Sequence, residues 1–252
     1  MEIITDTHVH FYDSYDLKYF FDTAFWNLTA YGEGSVGVLF FTQSSKNSPT
    51  FDDLVARLKD TPGFNIRIEE GFVEVLTANF KECLFLIPGC QFVSSEKIEV
   101  LALAYDSEGL DGLGVEEIIN KINLEGGQAV LPWSPGKWRK SRGEKLTAII
   151  EQKGKFSFAL GDIAMRACGY PKLFNRAKEK QIKIFAGSDS LPLPGEERLI
   201  FKYANAFEVP DNFVLNAKSF TTMLNDVPFI QVGRRNSLIQ ALKRWVKLYR
   251  KK

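Results

Sequence analysis

Short apolar runs recur along this chain with longer amphipathic segments between them, and that alternation is what most restricts the fold. The strand-like runs are "EIITDTHVH" (2–10), "SVGVLFF" (35–41), "FVEVLTA" (72–78), "CLFLIP" (83–88), "IEVLALAY" (98–105), "QAVLPW" (128–133), "FSFAL" (156–160) and "IKIFAG" (182–187), each a strand's length of apolar or alternating residues. Helix-like segments cover 16–31, 50–60, 114–123, 143–152, 171–181 and 196–207. Strands with helices between them pair in parallel through right-handed crossovers. The predicted fold is therefore α/β, a distorted TIM-like βα barrel, with residues 1–252 as a single domain. From 64 to 105 the strand runs leave little room for helices, so a β-hairpin insertion is expected there.

A hydrophobic fraction of 45% supplies a sizeable core. The 32 basic and 31 acidic residues nearly cancel, so overall charge makes no case for a nucleic-acid partner. Cys83, Cys90 and Cys168 lack the paired spacing of a structural zinc site and read as reduced thiols. No run approaches the length of a membrane span, and no basic segment with a long apolar stretch opens the chain. The expected location is cytoplasmic, with no membrane span. The segment "NSLIQALKRWVKLYRKK" (236–252) predicts a C-terminal helix with Leu238, Leu242, Trp245 and Tyr249 on one stripe and Lys243, Arg244, Lys247 and Arg250 around it, either docked on the barrel or facing a membrane surface or anionic partner.

Both histidines of the chain, His8 and His10, lie two apart in the first strand. Simple alternation puts Ile4, Asp6, His8 and His10 on one face. That face would pass from packed core to the C-terminal mouth of the barrel, where active sites are built. Two imidazoles aimed at one volume suit a divalent metal. Two later runs, "FSFALGD" and "IKIFAGSD", end a strand with Gly and then a carboxylate, Asp162 and Asp189. Each also reads as an ordinary turn or helix cap.

The segment "QAVLPWSPGKWRKSRG" adds Lys137 and Arg142 beside two tryptophans, and Arg166 follows Asp162. These cations suit an anionic substrate, phosphate above all. Glu196 and Glu197 read as the acidic start of a helix, while Arg234 and Arg235 could reach the same rim.

Three segments carry a resemblance. "DTHVH" matches a D-x-H-x-H opening, "LIPGCQFVSSEKIEVLALAYD" looks like a Pro-Gly-x-Glu turn before a hairpin, and "AGSDSLP" is similar to a late Gly-Ser-Asp-x-His segment. In this order they resemble the polymerase and histidinol phosphatase (PHP) superfamily of distorted βα barrels and, more distantly, the amidohydrolases. The resemblance implies a multi-metal site, phosphoester hydrolysis, and His8, His10 and Asp189 as metal ligands, with Asp13 or Asp16 near a further acidic position. Gln91 stands where a Glu is expected, Pro132 and Trp133 where a middle histidine is, and Leu191 in place of the late histidine.

The surviving donors suit one divalent ion, zinc or manganese, with a coordination position left for water. The expectation is a metal-dependent hydrolase acting on a phosphoester or other small anionic substrate. His8, His10 and Asp189 would hold the ion, Asp162 would act as general base, and Lys137, Arg142 and Arg166 would bind substrate. A catalytically inactive PHP-like barrel serving as a binding module is the alternative, and C–N bond hydrolysis is a third.

Overall fold

A computed structural model describes residues 1–32, 34–44, 49–77 and 83–250, with side chains to residue 248. Ala78, the last residue of one expected strand, and the side chain of Tyr249 lie outside the described residues. The elements are β1 (Glu2–Val9), α1 (Leu17–Thr29), β2 (Val36–Phe41), β3 (Gln43–Ser44), α2 (Phe51–Lys59), β4 (Phe64–Glu69), β5 (Phe72–Thr77), β6 (Cys83–Ile87), β7 (Gly89–Val93), β8 (Glu99–Leu103), α3 (Val115–Leu124), β9 (Gln128–Pro132), α4 (Lys140–Glu151), β10 (Ala159–Ile163), α5 (Lys172–Glu179), β11 (Ile184–Gly187), β12 (Tyr203–Glu208), α6 (Ala217–Asp226), β13 (Phe229–Gly233) and α7 (Leu238–Arg250), with a 3-10 turn at Glu197–Leu199. No described helix is long and apolar enough to cross a membrane.

The strands form two sheets, ordered β13-β12-β1-β2-β6-β5-β4 and β11-β10-β9-β8-β7-β3. β1, β2 and β6 run parallel, as do β9, β10 and β11. Antiparallel hairpins join β4 to β5 and β7 to β8. Two strands pass from one sheet into the other: β2 continues past Thr42 as β3, and β6 past Pro88 as β7, keeping their parallel partnership on both sides.

Among the described residues the strands do not join into one continuous hydrogen-bonded barrel. No ladder joins β1 to β11 among the described residues. Asn205, a side chain of β12, instead accepts from Ala186 N–H at 2.7 Å and donates to Ala186 O at 3.0 Å. Those are the two backbone groups a ladder would use, so the seam closes through side chains. One backbone bond, Asp189 N–H to His8 O at 2.9 Å, crosses at its end.

Inward-facing Ile3, Val38, Phe40, Leu101, Val130 and Phe185 pack between the sheets, and α6 plugs one end with Phe220, Met223 and Leu224. On the outer faces α1 and α2 cover β1, β2 and β6, while α3, α4 and α5 cover β8 to β11. Each such side chain taken fully out of water contributes roughly 1.5–3 kcal/mol.

The expected helix over 196–207 is a 3-10 turn followed by a strand, because "YANAF" is drawn antiparallel onto the free edge of β1. Pairing overrides local propensity here. The C-terminal helix also docks differently from expectation. Leu238, Leu242 and Trp245 are exposed, and among the described side chains of α7 the buried one is Arg244. Its Nε and Nη2 donate to Glu196, the latter at 2.5 Å. A buried ion pair holds this helix at its middle.

Candidate metal centre

The first strand does not alternate simply. In its pairing with β2, Asp6 stands opposite Leu39 and Val9 opposite Phe41, so β1 holds one extra residue between them. Such a bulge exchanges the two faces of a strand. Before it, Ile3 points into the inner core and Ile4 into the outer one; after it, Val9 joins the outer core while His8 and His10 line an inner cavity. Asp6 and Ile4 therefore do not share the face of the histidines, contrary to the alternation reading.

Asp6 is buried beside the bulge. Its Oδ1 accepts from Ser188 N–H at 2.9 Å and His8 N–H at 3.3 Å, and its Oδ2 accepts from Phe201 N–H at 3.1 Å. Burial pushes its pKa up to about 6 against the pull of these donors. The first Asp of "DTHVH" thus ties the bulge to the turn after β11.

That turn delivers Asp189 to the histidines. His8 Nε2 and His10 Nε2 lie 3.0 Å apart, and Asp189 Oδ1 stands 3.5 Å from the first and 3.7 Å from the second. Both rings are 5% exposed. Burial, then the adjacent His8, push the pKa of His10 down to about 4, with a smaller opposing effect from Asp189. At neutral pH its imidazole is uncharged, the form that can donate a lone pair. Neither Nδ1 has a well-formed hydrogen bond among the described residues, although the Thr42 backbone and the Gln91 side chain lie beside His10. Two nitrogens and one carboxylate oxygen converging within 4.8 Å fit a single divalent ion of borderline softness.

The close approach depends on Gly187. A Cβ there would meet His8 Cβ at 2.5 Å and His8 N at 2.9 Å. Asp189 itself adopts φ +43°, a strained region for a residue with a side chain. Gly187→Ala is expected to push β11 from β1, lowering stability by about 1–3 kcal/mol and abolishing metal uptake. Thermal denaturation and metal titration of the variant check this, and an unshifted melting temperature would refute the crowding.

The cavity beside the cluster measures about 440 Å³. Gln91, Pro132, Trp133 and Leu191, the four residues standing at expected ligand positions, all line it. So does Lys137, which pairs with Glu99 of β8 on the same wall. Glu99 escaped the sequence reading, although it shares the inward parity of Leu101 and Leu103. Trp245 and Leu248 of α7 close one side.

The other candidates lie elsewhere. Asp162 is on the outer face of β10, opposite Ala186, whereas Ile163 lines the cavity. "LGD" and "AGSD" differ by one residue after the glycine, and Ser188 is enough to turn the second carboxylate inward and leave the first outward. Asp162 is 1% exposed and bound by Arg166 Nε at 2.6 Å, Arg166 Nη2 at 2.5 Å and Tyr203 Oη at 2.7 Å. A carboxylate so engaged is not placed to act as general base on this cavity. Arg166 also donates to Gly169 O and lies against Tyr170 and Phe174, so it is part of the packing and not a substrate contact. Arg142 is half-buried and reaches the Lys97 and Gly136 carbonyls outside the cavity. Asp13 pairs with Arg57 and Asp16 caps α1 through Tyr19 N–H, so neither joins the cluster.

No family model matches the chain, and no curated protein matches it in sequence. Its fold is similar to that of PsfC from Pseudomonas syringae PB-5123, with TM-score 0.59, 13% identity, and 99% of this chain and 98% of that one covered. A lesion-specific endonuclease from Pyrococcus furiosus, PfuEndoQ, gives TM-score 0.57 at 14% identity, covering 92% of this chain and 59% of that one. Endonuclease Q in complex with a 27-mer duplex substrate bearing an abasic lesion at the active site gives TM-score 0.56 at 14% identity, covering 96% and 67%. At these identities the likeness is one of fold. The expectation of no nucleic-acid partner does not stand, because this fold is found holding a DNA duplex.

Proposed function

We propose that residues 1–252 form one PHP-type unit that hydrolyses phosphodiester bonds with a divalent metal, zinc or manganese. The observation that carries this is the convergence of His8, His10 and Asp189 on a water-accessible cavity. Likeness of fold to an endonuclease supports a nucleic-acid substrate, although fold alone does not establish chemistry. The ion would be held by those three residues and would supply Lewis acidity for attack on phosphorus. Asp189 and Glu99 are the carboxylates among the described cavity residues. Glu99, not Asp162, is therefore the group on the wall that accepts a proton, while Lys137 beside it stabilises charge on a phosphoryl oxygen. Trp133, Met165 and Leu191 narrow the space around them.

A second reading, a unit that binds its ligand without cleaving it, is favoured by Pro132, Trp133 and Leu191, which offer no metal donor where the resemblance expects one. Assay of bis(p-nitrophenyl) phosphate and of an oligonucleotide with an abasic site, with zinc, manganese or magnesium, separates the two. His8→Ala and Asp189→Asn are each expected to lower the rate by about a hundredfold or more, with circular dichroism unchanged. Wild-type rates in both variants would refute the assignment of the site. A rate in the wild type no higher than buffer would favour the binding unit.

A further inference from the structure

A second and larger cleft, of about 1250 Å³, lies on the other side of α7 from the metal centre. Its walls are α1, the 3-10 turn, the link from β13 and one face of α7. Arg198, Lys202, Arg234, Arg235, Lys243 and Lys247 line it, and all six are exposed. Arg235 stands 3.6 Å from Asp162, while the other five have no ion-pair partner among the described residues. Glu196 is the acidic residue of the lining and is already held by Arg244. In a chain of net charge +1, this is a local concentration of uncompensated positive charge.

Two further features mark the cleft. Trp26, on its rim, leaves its indole 76% exposed, while the same helix buries Phe20, Phe21, Phe25 and Leu28. Arg244 Nη1 and Asn236 Nδ2, both on residues of the lining, are buried donors with no acceptor among the described residues. Buried donors without acceptors are costly, and both belong to the wall that the cations line.

We propose that this cleft holds a single-stranded nucleic-acid segment, its phosphates on the cations and a base stacked on Trp26. A charged groove with an exposed aromatic is how strands are held without sequence preference. The cations are spread over separate elements along a helix about 20 Å long, which suits a polymer better than one small anion. They also line a concavity, whereas the exposed apolar residues of α7, Leu238, Ile239, Leu242, Trp245 and Val246, are not part of its lining. A flat lipid surface would meet the latter and not the former. Arg244, at the cleft wall, donates through Nη2 to Asp189 O at 3.2 Å, so a bound strand lies next to the metal centre. The proposal deepens the nuclease reading by naming how substrate is held.

Fluorescence anisotropy of a labelled twelve-nucleotide single strand, in EDTA, tests binding apart from cleavage. The triple variant Arg234→Ala, Lys243→Ala, Lys247→Ala is expected to bind at least about tenfold more weakly, with a flatter dependence on salt. Trp26→Ala is expected to lose about tenfold, and Lys121→Ala, an exposed cation outside the cleft, to bind as wild type. Affinity within twofold of wild type for the triple variant would overturn the proposal. So would equal binding of a duplex of the same length, or displacement of the strand by tripolyphosphate at matched phosphate concentration. Normal binding without hydrolysis would leave the cleft standing and remove the nuclease reading; hydrolysis that needs Asp189 but not the cleft residues would do the reverse.

Discussion

Adding zinc or manganese to the metal-free chain is expected to raise its melting temperature, and Asp189→Asn is expected to cancel most of the rise. A ligand at a hundred times its dissociation constant stabilises the native state by about 2.7 kcal/mol, or about 5–10 °C for a chain of this size. Asparagine keeps an oxygen donor but removes the negative charge beside His8 and His10, while His8→Ala removes a nitrogen donor outright. Differential scanning calorimetry with and without EDTA reads both. A wild-type chain indifferent to zinc, manganese and magnesium would eliminate the centre. An unreduced shift in Asp189→Asn would move it elsewhere in the molecule.

The second large effect separates structure from chemistry. Asp162→Ala leaves the Arg166 guanidinium buried without its partner, a loss of about 3–5 kcal/mol and a fall in melting temperature of roughly 10 °C or more. The increment produced by metal should survive, since Asp162 is not on the cavity wall. Pairing Asp162→Leu with Arg166→Met should recover much of the stability, because replacing both charges by apolar groups avoids the orphaned ion. A variant that kept its melting temperature and lost hydrolysis would return Asp162 to the catalytic role that its position argues against.

The sequence made the mixed α/β class and most parallel strands legible because apolar runs such as "VGVLFF" and "QAVLP" declare a strand buried on both sides. It did not reveal the faces. Alternation carried from Ile4 to His10 crosses the bulge after Asp6, and only the pairing with β2 exposes the extra residue. The histidines were legible by residue type, and Asp189 by its place after a glycine. Asp162 was not distinguished from it, because one intervening residue changes direction without changing composition. "YANAF" and the segment at Phe229–Gly233 become strands through pairing with β1 and with each other, a long-range cause that no local window contains. Glu99 and the basic cleft were missed for a related reason: both are assembled from residues far apart in the chain.

The bare Nδ1 atom of His8 bears on the lifetime of any ion held there. Metal-binding imidazoles usually lean on a neighbouring acceptor that fixes the ring and strengthens its donor, and losing such a brace costs about 10–100-fold in affinity. Without one, the His8 ring must keep its remaining proton where no described group receives it. Chemistry of this kind favours an exchangeable guest over a permanent resident, so occupancy would follow the supply of metal in the surroundings.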